Sequence, residues 1–263
     1  MFTASPIEIV TEAVPSDGSR FTVSHRQELI HGFEQSRLTA AHAILVGAGG
    51  IGSEVGEGLC RKGVGRLSLV DHDTIEHTNL NRQHFFREDI GRNKAVCLAH
   101  NLARHCHAGT SLVGHPYSFE DAVAIGVDLS ATIVVCGVDN SQARLAVSRY
   151  YRPLHVPVIF IAVDLLAECG HVFVQEGGAA SPCFGCAFPN SLEPRKAPCF
   201  VPASKDALKV TAGLALYAVD SLLMTRHRNW NFRRVHLAGF APDVSEILPR
   251  VSDCRLCRSI RES

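Results

Sequence analysis

The sequence lacks net charge. Its 263 residues include 26 lysines and arginines and 26 aspartates and glutamates. A chain this neutral lacks the overall basic surface that sequence-independent binding of DNA or RNA requires, so we expect no nucleic-acid partner. Charged residues still make up 20% of the chain and hydrophobic residues 46%, a balance that excludes intrinsic disorder.

The sequence also lacks long apolar runs. No run approaches the roughly 18 residues of a membrane-spanning helix, so we expect no membrane partner. Residues 1–11 include Glu8 and lack the basic stretch ahead of an apolar stretch that is typical of a secretory signal. The ten cysteines are therefore predicted to be reduced thiols, and the protein is predicted to be cytoplasmic.

Apolar runs alternate with helical patterns up to about residue 160, which predicts βαβ units. We expect strands at His42–Val46, Arg66–Val70, 132–136, 156–163, 170–174 and 235–238. We expect helices at 21–36, 53–62, 91–105, 142–151 and 206–224. The predicted fold class is α/β, with a doubly wound, mostly parallel sheet in one domain spanning 1–263. Within it, we expect an irregular N-terminal segment at 1–20 and a long surface loop at 176–206.

A glycine-rich turn joins the first predicted strand to the helix that follows. Its glycines, Gly47, Gly49, Gly50 and Gly52, fit the pattern G-x-G-x-x-G. They permit a tight turn and let the backbone approach a phosphate, which the N-terminus of a helix also attracts. Asp71 ends the next predicted strand, where a carboxylate can accept a hydrogen bond from a ribose hydroxyl. These features favour nucleotide binding over a ligand-free turn, and they leave NAD, FAD and ATP open.

The polar stretch after this strand distinguishes between these ligands. Its motifs, in chain order, are Asp71-His-Asp73, Asn79-Leu-Asn-Arg82-Gln83 and Gly91-Arg-Asn-Lys94. With these motifs, the segment 43–106 resembles the ThiF/MoeB/HesA family, the bacterial relatives of ubiquitin-activating enzymes. The resemblance implies a Rossmann-like adenylation domain that binds ATP through the glycines, Asp71, Asp73 and Asn79. A hydride-transfer dehydrogenase has no need for such side chains around a triphosphate.

The resemblance also implies catalytic roles for two cations, Arg82 and Lys94. An arginine can bind two phosphate oxygens at once, and a lysine acts as a point charge. Taken singly, each would more often be a solvated surface residue. Around a triphosphate, such fixed cations stabilise the charge that develops when pyrophosphate leaves.

Two further elements complete the implied site. Asp139 follows the predicted strand 132–136 and matches the family's D-N motif, whose aspartate is associated with Mg²⁺; an N-cap of the next helix is the structural alternative. His25-Arg26-Gln27 resembles the family's R-Q element. In homodimeric members this arginine contacts the partner's ATP, so the resemblance implies a homodimer with Arg26 acting on the other subunit.

Two cysteine pairs, Cys183-x-x-Cys186 and Cys254-x-x-Cys257, have the spacing of zinc knuckles. The family has such pairs in the same order, so we expect a structural Zn²⁺ that staples a C-terminal extension, 183–257, to the domain. The alternatives are a redox C-x-x-C pair and metal-free thiols.

Cys199 lies in the predicted surface loop, at a position resembling the crossover-loop cysteine of family members that form a covalent link to their partner. Arg195, Lys196 and Lys205 are near it in sequence and would lower the pKa of its thiol. The alternative is an ordinary loop cysteine, because several relatives adenylate without a catalytic thiol.

The implied reaction is attack by the C-terminal glycine carboxylate of a ubiquitin-like or sulfur-carrier protein on the α-phosphate of ATP. Cys199, an external sulfur donor or a conjugating protein would then take the acyl group. The rival functions are activation of a peptide or tRNA-linked carboxylate, an NAD-dependent oxidoreductase, and a non-catalytic subunit. The complete motif set argues against the last: Arg26, Asn79, Arg82, Lys94 and Asp139. The carrier and its pathway are not specified by the sequence.

Overall fold

The computed structural model describes residues 4–15, 18, 20–178, 180–192, 202–224 and 226–259. The strands in these residues are β1 (Ile7–Val10), β2 (His42–Val46), β3 (Arg66–Val70), β4 (Ser111–His115), β5 (Ile133–Cys136), β6 (Val158–Val163), β7 (Cys169–Gln175), β8 (Phe232–His236) and β9 (Val244–Glu246). The helices are α1 (His25–Glu28), α2 (Gln35–Ala40), α3 (Gly50–Lys62), α4 (Lys94–Ala103), α5 (Phe119–Ala124), α6 (Ser141–Tyr151), α7 (Phe184–Ala187), α8 (Lys205–Leu223) and α9 (Arg255–Ser259).

These strands all belong to one sheet, in the order β1-β4-β3-β2-β5-β6-β7-β8-β9. The five central strands, β4 to β6 in this order, are parallel. They are rich in Val, Ile and Leu because both of their faces are covered, as is usual in parallel sheets. The outer pairings are antiparallel, with β1 on one side and β7, β8 and β9 on the other. The prediction of a mostly parallel sheet is therefore confirmed for the centre of the sheet.

Helices cover both faces of the sheet, as predicted for a doubly wound fold. Successive strand residues point to opposite faces, so Leu45 and Ile44 of β2 belong to different cores. The Leu45 core is closed by α3, α4 and α8. The Ile44 core is closed by α5, α6, α7 and α9, and it includes the four cysteines of the two C-x-x-C pairs.

Two N-terminal predictions were wrong. The segment 1–20 is not irregular throughout, because β1 pairs with β4 at the sheet edge. The single helix expected over 21–36 is two short helices, α1 and α2. Gly32 lies between them, beyond the end of α1 at Glu28, and its φ of +76° redirects the chain.

Besides β1, the sequence analysis missed β4, β9, α5, α7 and α9. In β4, Gly114 interrupts the apolar pattern because the strand packs closely on α4; a Cβ there would lie 2.9 Å from the Ala95 carbonyl oxygen. The surface loop expected at 176–206 contains α7 and a 3₁₀ turn at Pro189–Leu192, and α8 begins at Lys205.

Two glycines allow a test of this packing. Gly213 is exposed within α8, and a Cβ added there would have no atom of the described residues within 4 Å. Gly213→Ala should therefore raise the free energy of unfolding by about 1 kcal/mol. Gly52→Ala should lower it, because the new Cβ would lie 2.0 Å from the Gly47 carbonyl oxygen. Urea unfolding measures both, and effects of the same sign would contradict the packing described.

Candidate active site

The glycine turn links the carboxyl end of β2 to the start of α3. Gly47 has a φ of +97° and donates its N–H to the Val70 carbonyl at 2.9 Å. The turn also lies against the end of β5, because a Cβ on Gly47 would be 3.1 Å from Gly137. Gly49 precedes α3 without any side-chain cap, so the first backbone N–H groups of the helix are free to bind an anion.

Asp71 connects the end of β3 to this turn. Its carboxylate accepts hydrogen bonds from the backbone N–H of Ala48 at 2.6 Å and of Asp73 at 2.8 Å. Burial raises the pKa of Asp71, while Lys94 and these N–H groups oppose that rise. The predicted ribose-binding carboxylate is thus held beside the glycine turn.

Lys94 begins α4 and reaches back to the same strand end. Its ammonium lies 2.8 Å from a carboxylate oxygen of Asp73, and its side chain is 12% exposed. Asn93 fixes this arrangement: it caps α4 through Val96 N–H at 3.1 Å and donates to the carbonyl oxygens of Asp71 and Asp73. The structure therefore brings Asp71, Asp73 and Lys94 together, as the sequence predicted.

The Asn79-to-Gln83 string runs beside the glycine turn. Asn79 is buried, and its side-chain oxygen accepts from Glu76 N–H at 3.0 Å, so it shapes the 3₁₀ turn His77–Asn79. Arg82 donates to the Thr78 carbonyl at 2.8 Å and to Asn81. These hydrogen bonds give Asn79 a structural role in the turn, and its direct contact with ATP stays a prediction.

Gln83 belongs to the same string but was not among the predicted site residues. It is 8% exposed, and its amide oxygen is buried with no hydrogen-bond partner within the described chain. Its amide nitrogen would be 4.0 Å from a Cβ on Gly49. Buried polar atoms are rarely left unpaired, and an amide oxygen accepts hydrogen bonds, so a donor group of a ligand, such as a ribose hydroxyl, would be its partner. Its position directly after Arg82 in the motif was the sequence feature that could have identified Gln83 as a site residue.

Asp139 is exposed just beyond the carboxyl end of β5. The helix cap is its neighbour Asn140, which accepts from Ala143 N–H at 2.7 Å. The N-cap alternative for Asp139 is therefore wrong, and Asp139 lies at the edge shared with Gly47 and Asp71. Half-buried Arg144, which was assigned no role, supports this loop by donating to the Val138 carbonyl at 2.6 and 2.9 Å.

Arg26 lies on α1, away from the glycine turn of its own chain. Its neighbour Gln27 donates to the Lys62 carbonyl at 2.9 Å, which places α1 at the far end of α3. The 13 residues of α3 span about 20 Å. Arg26 therefore cannot contact a nucleotide bound in its own subunit.

The four cysteines of the two C-x-x-C pairs converge and are all buried. Their sulfurs are 3.4 to 3.6 Å apart: Cys183–Cys186, Cys183–Cys254, Cys186–Cys257 and Cys183–Cys257. Four bonds of about 2.3 Å in a tetrahedral zinc site would place the sulfurs about 3.8 Å apart. The Val251 N–H points at the Cys186 sulfur at 3.4 Å, as a donor to a thiolate would. The four thiols can therefore hold one tetrahedral ion.

Cys199 lies outside the described residues, as do Arg195 and Lys196. Lys205, the remaining cation expected near it, ion-pairs with the buried carboxylate of Glu54 on α3.

The fold and the site have the features of a nucleotide-binding α/β protein: a glycine turn, acidic strand ends and basic side chains share one sheet edge. The sequence profile of the ThiF family matches residues 23–249, and the chain belongs to this family. The predicted family resemblance is confirmed. Within the described residues, no helix is both long and apolar enough to cross a lipid bilayer.

The chain is also similar to named relatives. The Mus musculus adenylyltransferase and sulfurtransferase MOCS3 is 30% identical over 224 residues, covering 80% of this chain and 48% of that protein. The Culex quinquefasciatus ubiquitin-like modifier-activating enzyme 5 is 31% identical over 184 residues, covering 65% of this chain and 45% of that protein. The chain therefore spans about half the length of the curated relatives it matches.

A solved structure, that of E. coli MccB with ATP, has the same fold. It matches with a TM-score of 0.70 at 21% identity, covering 85% of this chain and 68% of that chain. This similarity confirms the α/β architecture.

The different roles of Asp139 and Asn140 can be tested by stability. Asn140→Ala removes the α6 cap and should lower the free energy of unfolding by about 1 kcal/mol. Asp139→Ala should change it by less than about 0.5 kcal/mol, because no hydrogen bond joins this exposed carboxylate to the rest of the described chain. Chemical denaturation measures the free energy of unfolding of both variants. An equal loss in both variants would show that Asp139 is structural.

Proposed function

We propose that this protein uses ATP and Mg²⁺ to adenylate the C-terminal glycine carboxylate of a ubiquitin-like or sulfur-carrier protein. The observation that supports this most is the placement of the glycine turn, Asp71 and Asp139 at the carboxyl ends of β2, β3 and β5. Ligands of open α/β sheets bind at this edge. Membership of the ThiF family supports nucleotide transfer there over hydride transfer.

The proposed chemistry requires positioning and charge stabilisation. The glycine turn and the N-terminal amides of α3 hold the phosphates, and Asp71 accepts from the ribose. Lys94 and Arg82 neutralise the charge that develops as the carboxylate oxygen attacks the α-phosphorus and pyrophosphate leaves. Asp139 would hold Mg²⁺, which supplies further positive charge to the phosphates.

We further propose that two copies of the chain form a homodimer in which Arg26 acts on the partner's ATP. The distance of α1 from the glycine turn supports action in the other subunit. Large apolar side chains also lie near Arg26 in the chain and are 44% to 72% exposed: Phe21, Val23, Leu29 and Ile30. A second copy of the chain would cover this apolar surface.

After adenylation, the acyl group passes to a thiol. We propose Cys199, an external sulfur donor or a conjugating protein as its acceptor. The nine described cysteines have free thiols, which supports a reducing, cytoplasmic setting.

ATP–pyrophosphate exchange tests the proposed reaction. Purified protein is mixed with each of a panel of ubiquitin-like proteins ending in Gly-Gly. We expect exchange with one of them, lost when its terminal glycine is removed and abolished by Asp139→Ala.

If no protein of the panel supports ATP–pyrophosphate exchange while ATP still binds, the proposal is contradicted. The substrate would then be another carboxylate, or the protein would be non-catalytic. Binding of NAD in place of ATP would overturn the nucleotide assignment as well.

We also propose that the four converging cysteines hold a structural Zn²⁺. The ion would tie α9 and the segment before it to α7, since Cys183 and Cys186 lie at α7 and the other pair lies at the start of α9. Buried thiols this close to one another, with a backbone N–H aimed at one sulfur, favour bound metal over a redox pair.

Metal analysis tests this site. We expect about one zinc per chain in the wild type and in Cys97→Ala, a control variant that removes a buried cysteine far from the cluster in sequence. Cys254→Ser should lose the zinc, and its thermal unfolding midpoint should fall to that of chelator-treated protein. Full zinc content in Cys254→Ser, or a chelator without effect on the wild type, would contradict the proposal.

A further inference from the structure

A cluster of charged side chains connects the Asn79-to-Gln83 string to α3. His84 directly follows the string, and its side chain is 17% exposed between two α3 glutamates. Its Nε2 lies 3.2 Å from Glu54, and its Nδ1 lies 3.5 Å from Glu57. Both ring nitrogens therefore face carboxylate oxygens, so the ring has one fixed orientation against the helix.

The backbone of His84 is held as well. Its N–H donates to the Ser53 hydroxyl at 3.2 Å, and that hydroxyl donates to the Gly49 carbonyl at 2.8 Å. Its carbonyl accepts from the Asn101 amide at 3.0 Å. Two backbone hydrogen bonds therefore join His84 to the first turn of α3 and to α4, and the Ser53 hydroxyl extends the first of them to the glycine turn.

Lys205 adds a contact from α8. Its ammonium ion-pairs with Glu54 and lies 3.4 Å from the Arg82 carbonyl oxygen. Glu54 is 7% exposed, so this pair and the His84 pair are shielded from solvent on the glutamate side. The end of the string that carries Arg82 and Gln83 is thus held by α8 through Lys205 and by α3 through His84.

The glutamates and His84 also have the composition of a metal site. Their oxygens are already paired, however, because Glu54 contacts Lys205 and Glu57 accepts from Arg61 at 2.7 Å. Although burial opposes it, the Arg61 hydrogen bond, with His84 and His105, holds the pKa of Glu57 below its usual range. These cations favour an ion-paired cluster over a metal site.

We propose that His84 is a positioning residue for nucleotide binding: clamped between Glu54 and Glu57, it holds Arg82 and Gln83 in place beside the glycine turn. The inference rests on the proposed function in that ATP is the nucleotide. Within the described residues, the Arg82 guanidinium is bonded only to its own string and to Thr78 just before it, so its position depends on how that string is held. A loosened string must be ordered each time ATP binds, which weakens binding.

The test compares His84→Ala with a matched control, His105→Ala. His105 lies 3.7 Å from the same Glu57 but follows α4 and makes no hydrogen bond to the string as far as the structure describes it. ATP affinity is measured by calorimetry without any carrier protein. His84→Ala should weaken ATP binding roughly tenfold, as expected for a lost hydrogen bond to a charged group. His105→Ala should bind ATP like the wild type.

Two further variants separate positioning from general destabilisation. His84→Gln keeps one N–H donor toward the glutamates and should recover part of the affinity. Lys205→Met, at a side chain 38% exposed, should fold normally and still weaken ATP binding. In exchange assays, His84→Ala should raise the KM for ATP while leaving the KM for the carrier unchanged.

Wild-type affinity in both His84→Ala and Lys205→Met would overturn the inference, as would equal losses in His84→Ala and His105→Ala. A wild type that binds ATP without any exchange would overturn the proposed reaction, while the affinities would still decide the role of His84. A wild type that does not bind ATP would overturn both.

Discussion

The site depends on one close contact, the approach of the first turn of α3 to the glycine turn. A Cβ at Gly52 would overlap the Gly47 carbonyl oxygen at 2.0 Å, so only glycine lets the helix begin directly over the end of β2. This contact points the unpaired N–H groups of α3 at the carboxyl edge of the parallel strands. It also brings the Ala48 N–H within reach of Asp71, which joins β3 to the same turn.

Several of the charged groups at this edge are paired within the protein. Lys94 pairs with Asp73, and the Asp71 carboxylate is held by backbone N–H groups. Within the described residues, Asp139 is exposed without a hydrogen bond, and the amide oxygen of Gln83 is buried without one. In the proposed reaction, a triphosphate with a divalent cation would bring negative charge to the cations and helix amides and positive charge to Asp139.

The sequence was sufficient to predict four of the five central strands, β3, β2, β5 and β6, and the grouping of Asp71, Asp73 and Lys94. The bounds of β2 and β3 were predicted to the residue because each strand ends in apolar residues and is followed at once by the glycine turn or by Asp71. The edge strands β1 and β9 were missed because they are short and half exposed, and Gly114 obscured β4. The family resemblance grouped Asp71, Asp73 and Lys94 at one site, and the structure places them together. The resemblance could not show that Asn79 shapes a turn or that His84 lies between two glutamates, because such contacts depend on how the chain folds around each side chain.

The central claim is that a carboxylate oxygen attacks the α-phosphorus of ATP at this edge, and oxygen labelling tests it directly. The partner's terminal carboxylate is labelled with ¹⁸O, and the activated acyl group is trapped with hydroxylamine. Attack by the carboxylate leaves its oxygen on the phosphorus, so we expect ¹⁸O in the AMP released and none in the pyrophosphate. AMP free of ¹⁸O while hydroxamate accumulates would contradict the account.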